Sequence, residues 1–249
     1  MPRKARVKSE SGVYHIMLRG INQQLIFEEK EDYLRFIETL EKYKAISEYK
    51  IFAYCLMPNH IHLLIKTEKE DLDLIIKRIA GSYVYWYNWT YHRIGHLFQD
   101  RYKSEPIEDD SYFLTVLRYI HQNPLKAGIV KEIEEYEFSS YNDYIGNRSE
   151  LIDIDFTYSV IKKDKFIDFN KENNNDICLD IHKQEFRLSD KEAKEIIKKI
   201  TGYENAVEIQ LIDQKQRNMC IKEIKKEGLS IRQISRLTGI SKGIVEKIK

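Results

Sequence analysis

Two short stretches hold residues whose types and spacing can do chemistry. The first is His60-Ile61-His62, which runs into the apolar Leu63-Leu64-Ile65. On a β-strand alternate residues share a face, so both imidazoles project together while Ile61 turns away. Two neutral imidazoles on one rigid face suit a divalent cation, although the same spacing also describes an ordinary surface or core histidine pair. The second stretch is Arg118-Tyr119-Ile120-His121-Gln122-Asn123-Pro124. On a helix Tyr119 and Asn123, four apart, are neighbours. Asn123 offers a carbonyl oxygen to a metal, and Tyr119 sets a phenol beside it. A phenolate is a feasible nucleophile on phosphorus when a metal polarises the phosphate. With 17 tyrosines in the chain, packing is the competing role for any one of them.

Several neighbours compete for these roles. Gln122 replaces Asn123 as the ligand if the helix is rotated by one residue. Tyr102, between Arg101 and Lys103, sits in a phosphate-contact setting and is the second candidate nucleophile. His15 and Arg19 share a strand face and are candidates to approach the site. His92 and His96, separated by Gly95, read as surface or DNA-contact residues.

The elements that must position these groups follow from periodicity. Residues 13–19, 51–56 and 60–65 read as strands, with Pro58 and Asn59 in the turn between the last two. Residues 29–48, 71–91 and 109–123 read as helices, the last capped by Asp109 or Asp110 and closed by Pro124. The 71–91 helix is rich in aromatics that either stack bases or fill the core. Beyond residue 146 the composition shifts, and Lys171-Glu-Asn-Asn-Asn175 reads as a linker or exposed loop. The organisation is an α+β catalytic domain over 1–146, a connecting region over 147–188 with no legible chemistry, and a helical C-terminal domain over 189–249.

Met57-Pro-Asn-His-Ile-His-Leu-Leu-Ile65, followed some sixty residues later by Tyr119-Ile-His-Gln-Asn-Pro124, resembles the Y1 (HUH) transposases of the IS200/IS605 type. The nearest branch is that of the REP-associated tyrosine transposases. Tyr14-His-Ile-Met-Leu-Arg-Gly20, Gly95 to Ser104 and Asn123 to Val130 extend the resemblance over about residues 10–146. It implies a ferredoxin-like antiparallel sheet with packed helices. It also implies His60, His62 and Asn123 as ligands of Mg²⁺ or Mn²⁺, and Tyr119 as a nucleophile that leaves a 5′-phosphotyrosine and a free 3′-hydroxyl. Such a metal keeps positions for water and the scissile phosphate. Dimers and monomers both occur among such enzymes.

At the C-terminus, Glu227 to Lys247 resembles a helix-turn-helix. Ile231, Ile234 and Leu237 pack a first helix, Gly239 makes the turn, and Ser241 caps a recognition helix carrying Ile244, Val245 and Ile248. Residues 214–249 hold ten basic against three acidic side chains, a local net of +7 on a chain whose total is +1. Residues 1–10 hold four basic side chains against one acid. Basic ends on a neutral middle point to polyanion contacts. Candidate DNA contacts are Arg3, Lys4, Arg101, Lys103, Arg232, Arg236 and Lys242; a structural three-helix bundle is the alternative for the C-terminal part. Single-stranded or hairpin DNA is the expected partner, with duplex binding through the helix-turn-helix.

At 42% hydrophobic and 33% charged residues, the composition is that of an ordinary globular protein. No apolar run approaches the ~20 residues of a membrane span, and no secretory leader is legible, which makes the cytoplasm the expected location. Cys55, Cys178 and Cys220 form no CxxC pair, so neither disulfides nor a cysteine zinc site is indicated. Two other functions fit the sequence less closely. One is a DNA-binding regulator derived from a transposase. The other is a metal-dependent hydrolase using water as nucleophile.

Overall fold

The computed structural model describes residues 6–146, 150–179, 188 and 190–248. It divides into two compact units, Met1–Gln184 and Glu185–Lys249.

The first unit is built on four strands. In chain order they are β1 (Val13–Arg19), helix α1 (Lys30–Ser47), β2 (Lys50–Met57), β3 (His60–Lys66), helix α2 (Leu72–Thr90) and β4 (Lys103–Ile107). The sheet order is β2-β3-β1-β4 and every neighbouring pair is antiparallel. This is the βαββαβ, ferredoxin-like arrangement, as expected from the sequence. β1 and β3 are its two inner strands, buried almost throughout. That explains why they read as near-continuous apolar runs interrupted only by groups with special partners. α1 starts where Asp32 Oδ2 accepts from the backbone N–H of Glu28 and Glu29, a capping box with Glu29.

β4 did not stand out in the sequence. Lys103-Ser-Glu-Pro-Ile107 lacks apolar alternation, and Pro106 donates no ladder bond. An edge strand with one neighbour tolerates both.

Helix α3 (Asp110–Lys126) packs on β2 and β3. Asp109 is its cap, accepting from Tyr112 N at 2.8 Å. Pro124 does not close it. The helix runs on to Lys126, because a proline in the last turn forfeits little, and the Asn123 and Pro124 carbonyls still accept from Ala127 and Ile129.

The reading of 147–188 as a connecting region is corrected in its described part. Short helices α4 (Tyr141–Ile145), α5 (Ile154–Val160) and α6 (Lys163–Lys171) belong to the first unit, and α5 and α6 pack on α3. Phe166 stacks on Tyr144 with ring centroids 4.6 Å apart. Within the polar Lys171–Asn175 stretch, Glu172 and Asn174 hydrogen-bond to Arg118 and Gln122 of α3.

The second unit contains α7 (Asp190–Thr201), α8 (Gln214–Lys226), α9 (Ile231–Thr238) and α10 (Lys242–Lys247). They surround a core that includes Ile197, Ile209, Ile221, Ile224, Ile234 and Val245. Ser230 caps α9, accepting from Gln233 N. Gly239 ends it with φ +72°, the left-handed conformation that favours glycine. Ser241 stands at the start of α10 but its side chain makes no capping bond; its backbone oxygen accepts instead. Among the described residues no helix is long and apolar enough to cross a membrane.

Candidate active site

Strand register gathers the reactive groups on one face of the sheet. Arg19 stands opposite His60, Met17 opposite His62 and His15 opposite Leu64, while on the other side Met17 faces Lys103 and His15 faces Glu105. Cross-strand partners point the same way, so His15, Arg19, His60, His62, Lys103 and Glu105 share that face. α3 crosses it and brings down Tyr119. The Tyr119 ring lies 5.7 Å from His62 and 6.0 Å from His15, both edge-on. His60 and His62 are 5.0 Å apart, ring to ring. Asn123 is buried one turn further along α3. Tyr119 and His62, from two distant stretches of sequence, thus meet in one place, and His15 joins them.

Each imidazole is oriented by a partner. Asn59 Oδ1 accepts from His60 Nδ1 at 2.6 Å. Asn59 itself is fixed by backbone geometry. The loop after β1 folds back on the β2–β3 turn, with Gly20 N donating to Asn59 O and the Ile26 and Phe27 amides to Pro58 O. A Cβ on Gly20 would sit 2.2 Å from Gln24 O, which makes glycine obligatory at this approach. His62 Nδ1 lies 2.9 Å from His15 Nε2. His15 Nδ1 in turn lies 3.8 Å from Glu105 Oε2. The Glu105 carboxyl is held below the ordinary carboxylate range, chiefly by His15, against the opposing effect of burial, and further by Tyr112 and the Leu179 N–H. The His62 pKa is driven well below the ordinary histidine value, mainly by burial and then by its histidine neighbours His60 and His15. It is therefore a neutral imidazole, the form that ligates metal.

The donor set fits a divalent cation. His62 Nε2 is fully buried and has no hydrogen-bond partner among the described residues, a buried polar atom that calls for a partner. Among the described residues no three His, Cys, Asp or Glu side chains converge on a metal position. The donors shown together are the His60 and His62 imidazoles, with ring centroids 5.0 Å apart.

Gln122 does not compete for that place. Its Nε2 donates to Asn170 O at 2.7 Å and Glu172 O at 2.9 Å, while its Oε1 accepts from Asn174 at 2.8 Å. Tyr102 does not compete as nucleophile either. Its hydroxyl donates to Asp73 Oδ1 at 2.7 Å, Arg6 stacks over its ring at 3.7 Å, and burial raises its pKa. His92 and His96 are exposed, as are Arg101, Lys103, Arg232, Arg236 and Lys242. Arg236 is ion-paired with Asp190. Arg3 and Lys4 lie outside the described residues.

Sequence reasoning missed three groups. Asn59 stood inside the quoted motif, and its place directly before His60 was the available signal. Glu105 carried none, because its strand was not recognised. Lys126, whose ammonium lies 5.5 Å from the Tyr119 ring centre, is three and seven residues on from Asn123 and Tyr119, a helical spacing that was open to reading.

An antiparallel βαββαβ sheet with a His-x-His strand under a tyrosine-bearing helix is the arrangement that the resemblance to Y1 (HUH) transposases implies. The comparison with family models points the same way: residues 8–123, just under half of the chain, are similar to the family described as "Transposase IS200 like". Within that class, its similarity is to REP-associated tyrosine transposases. A candidate member from Haemophilus influenzae (strain ATCC 51907 / DSM 11121 / KW20 / Rd) is 29% identical over 126 residues, spanning 45% of this chain and 70% of that one. Among solved structures, a REP-associated tyrosine transposase bound to a REP hairpin superposes with TM-score 0.51 at 18% identity, covering 58% of this chain and 86% of that one. A candidate transposase from Deinococcus radiodurans R1 matches with TM-score 0.33 at 19% identity over 49% of this chain and 97% of that one.

Proposed function

We propose that the chain is a metal-dependent endonuclease and strand transferase for single-stranded or hairpin DNA, with Tyr119 as its nucleophile. The observation that carries this reading is the placement of the Tyr119 ring 5.7 Å from His62, on the helix face that also holds Asn123. The Tyr119 oxygen bonds to phosphorus, the bond to the 3′-oxygen breaks, and that oxygen leaves as a hydroxyl with the proton the phenol gave up. The product is a 5′-phosphotyrosine, which keeps the phosphodiester energy. A 3′-hydroxyl attacking it rejoins a strand and restores the phenol without ATP. Lys126 places a positive charge 5.5 Å from the Tyr119 ring centre, near where a phosphate would react. Bound at His60, His62 and Asn123, Mg²⁺ or Mn²⁺ supplies Lewis acidity to a phosphate oxygen. Tyr119 is 4% exposed, so a DNA phosphate reaches it only once neighbouring side chains move aside.

Arg101 and Lys103 contact the backbone of the cleaved strand, as do Arg3 and Lys4. The α9–turn–α10 segment acts as a helix-turn-helix on duplex DNA through Arg232, Arg236 and Lys242. A hairpin presents both strand forms to one protein. It is also the form bound by the solved relative, and so the first substrate to test.

The test is incubation of the chain with labelled hairpin oligonucleotides and Mg²⁺ or Mn²⁺, read on a denaturing gel. A metal-dependent covalent adduct is expected, and Tyr119→Phe removes it. An adduct that survives Tyr119→Phe refutes the nucleophile. Free 5′-phosphate ends with no adduct identify a hydrolase instead, and tight duplex binding without cleavage identifies a regulator.

A further inference from the structure

We propose that His15 and Glu105 are positioning residues for the cation site: a chain from the Glu105 carboxylate through both nitrogens of His15 to Nδ1 of His62 decides which nitrogen of His62 is left to bind metal. The inference rests on the reading of His60, His62 and Asn123 as ligands.

A neutral imidazole carries one N–H, and its position follows from the surroundings. His62 Nε2 is fully buried and has no hydrogen-bond partner among the described residues. A proton there would be a buried donor with no acceptor, whereas a lone pair there is a vacant ligand position. The proton therefore belongs on Nδ1, from which it donates to His15 Nε2 across 2.9 Å. That bond makes His15 Nε2 the acceptor and places the His15 proton on Nδ1. His15 Nδ1 faces the Glu105 carboxylate at 3.8 Å, a separation of ion-pair rather than hydrogen-bond length. The reverse order fails at both ends, since it strands an N–H on His62 and points a lone pair of His15 at a carboxylate. Glu105 is suited to the terminal place. It sits on the edge strand with its side chain one-third exposed, free to close the remaining gap, and Tyr112 and the Leu179 N–H steady its carboxylate.

His60 has a shorter version of the same device. Asn59 Oδ1, an acceptor, fixes its Nδ1 proton at 2.6 Å and leaves Nε2 as the basic nitrogen. Two ligands on one strand are thus held in the same tautomer by unrelated partners. A carbonyl does this for one and a histidine–carboxylate pair for the other. Partners of this kind fix the ring and raise ligand basicity, and losing one typically lowers metal affinity by about 10–100-fold.

The experiment uses the full chain, metal-free, with two readouts. Long-range ¹⁵N–¹H spectra report each histidine's tautomer, and calorimetric titration with Mn²⁺ reports affinity. The wild type is expected to show His62 protonated on Nδ1. Glu105→Ala and His15→Phe are expected to shift that signature and weaken Mn²⁺ binding about 10–100-fold while melting normally. His15→Gln, which keeps an acceptor, is expected to restore most of the affinity. If His15→Phe does not fold, Glu105→Ala decides, since its site is on the sheet edge. His62 protonated on Nε2 in the wild type overturns the proposal. So does Mn²⁺ affinity within twofold of wild type in the folded variants, an outcome that leaves the ligand assignment standing. If the wild type takes up no Mn²⁺, the ligand assignment fails and the tautomer decides: an Nδ1–H signature lost in Glu105→Ala supports the relay, and any other pattern overturns it.

Discussion

Acid should unfold the first unit through a single buried histidine away from the metal face. His121 is fully buried on α3; Asn170 Oδ1 accepts from its Nδ1 at 2.9 Å, and its Nε2 lies 3.0 Å from Ser140 Oγ. Burial lowers its pKa to about 4, against a smaller opposing effect of Asn170. The unfolded chain titrates near the ordinary value of about 6.5. Above that value both states are neutral and the histidine's contribution to stability is complete. As pH falls from about 6.5 towards 4 the unfolded state takes up the proton and the folded state does not, so stability drains away. At about 1.4 kcal/mol per unit, the loss from this residue is about 2 kcal/mol by pH 5 and about 3 kcal/mol by pH 4. Both tryptophans, Trp86 and Trp89, lie on α2 in the first unit, so urea melts followed by their fluorescence report that unit alone. His121→Gln should melt earlier at pH 7 and should lose that part of the acid dependence. His62, also depressed by burial, contributes in the same direction, so the difference between the two curves carries the test. Parallel wild-type and His121→Gln curves between pH 7 and 4.5 would refute the reasoning.

Two further predictions separate neighbouring roles. Asn123→Ala should lower Mn²⁺ affinity about tenfold or more in calorimetry, whereas Gln122→Ala should cost about 1–3 kcal/mol of stability by leaving its buried partners unsatisfied and should spare the metal; the opposite pattern of Mn²⁺ affinities would exchange their assignments. Arg232→Ala combined with Lys242→Ala should weaken duplex binding and reduce the slope of log affinity against log salt by about 2, because each phosphate contact contributes ~0.9. An unchanged slope in a fluorescence-anisotropy titration would remove α9 and α10 from the DNA interface.

The sequence revealed the parts of the first unit whose chemistry is local. A strand carrying His60 and His62 shows in alternation, and Tyr119 with Asn123 shows in helical spacing, because one element sets each pattern. What stayed hidden depends on pairing between elements. Lys103-Ser-Glu-Pro-Ile107 becomes a strand only because β1 offers it an edge, so Glu105 had no address until the register was known. Lys171 to Asp176 looked like linker because its asparagines and acids are those of a loop, and nothing local says that Arg118 and Gln122 wait for them. The end of α3 was misplaced for the converse reason. Pro124 is a strong local stop, and its place in the last turn weakens it.

The attachment of residues 170–176 to α3 has a consequence for where this protein can be divided. The match to the transposase family stops at residue 123, and composition suggests a border near 146. Neither is a mechanical boundary. Arg118, only 11% exposed at its side chain, pairs with Glu172 and with Asp176 at 2.8 and 2.9 Å, and Gln122 takes its three bonds from the same segment. A chain cut at either point would remove both carboxylates paired with Arg118, one residue from Tyr119, together with the segment that covers that stretch of α3. Inheritance and structure therefore draw different lines here. The transferable piece, whether moved by recombination or by an engineer, has to run past Asp176 to carry its tyrosine helix intact.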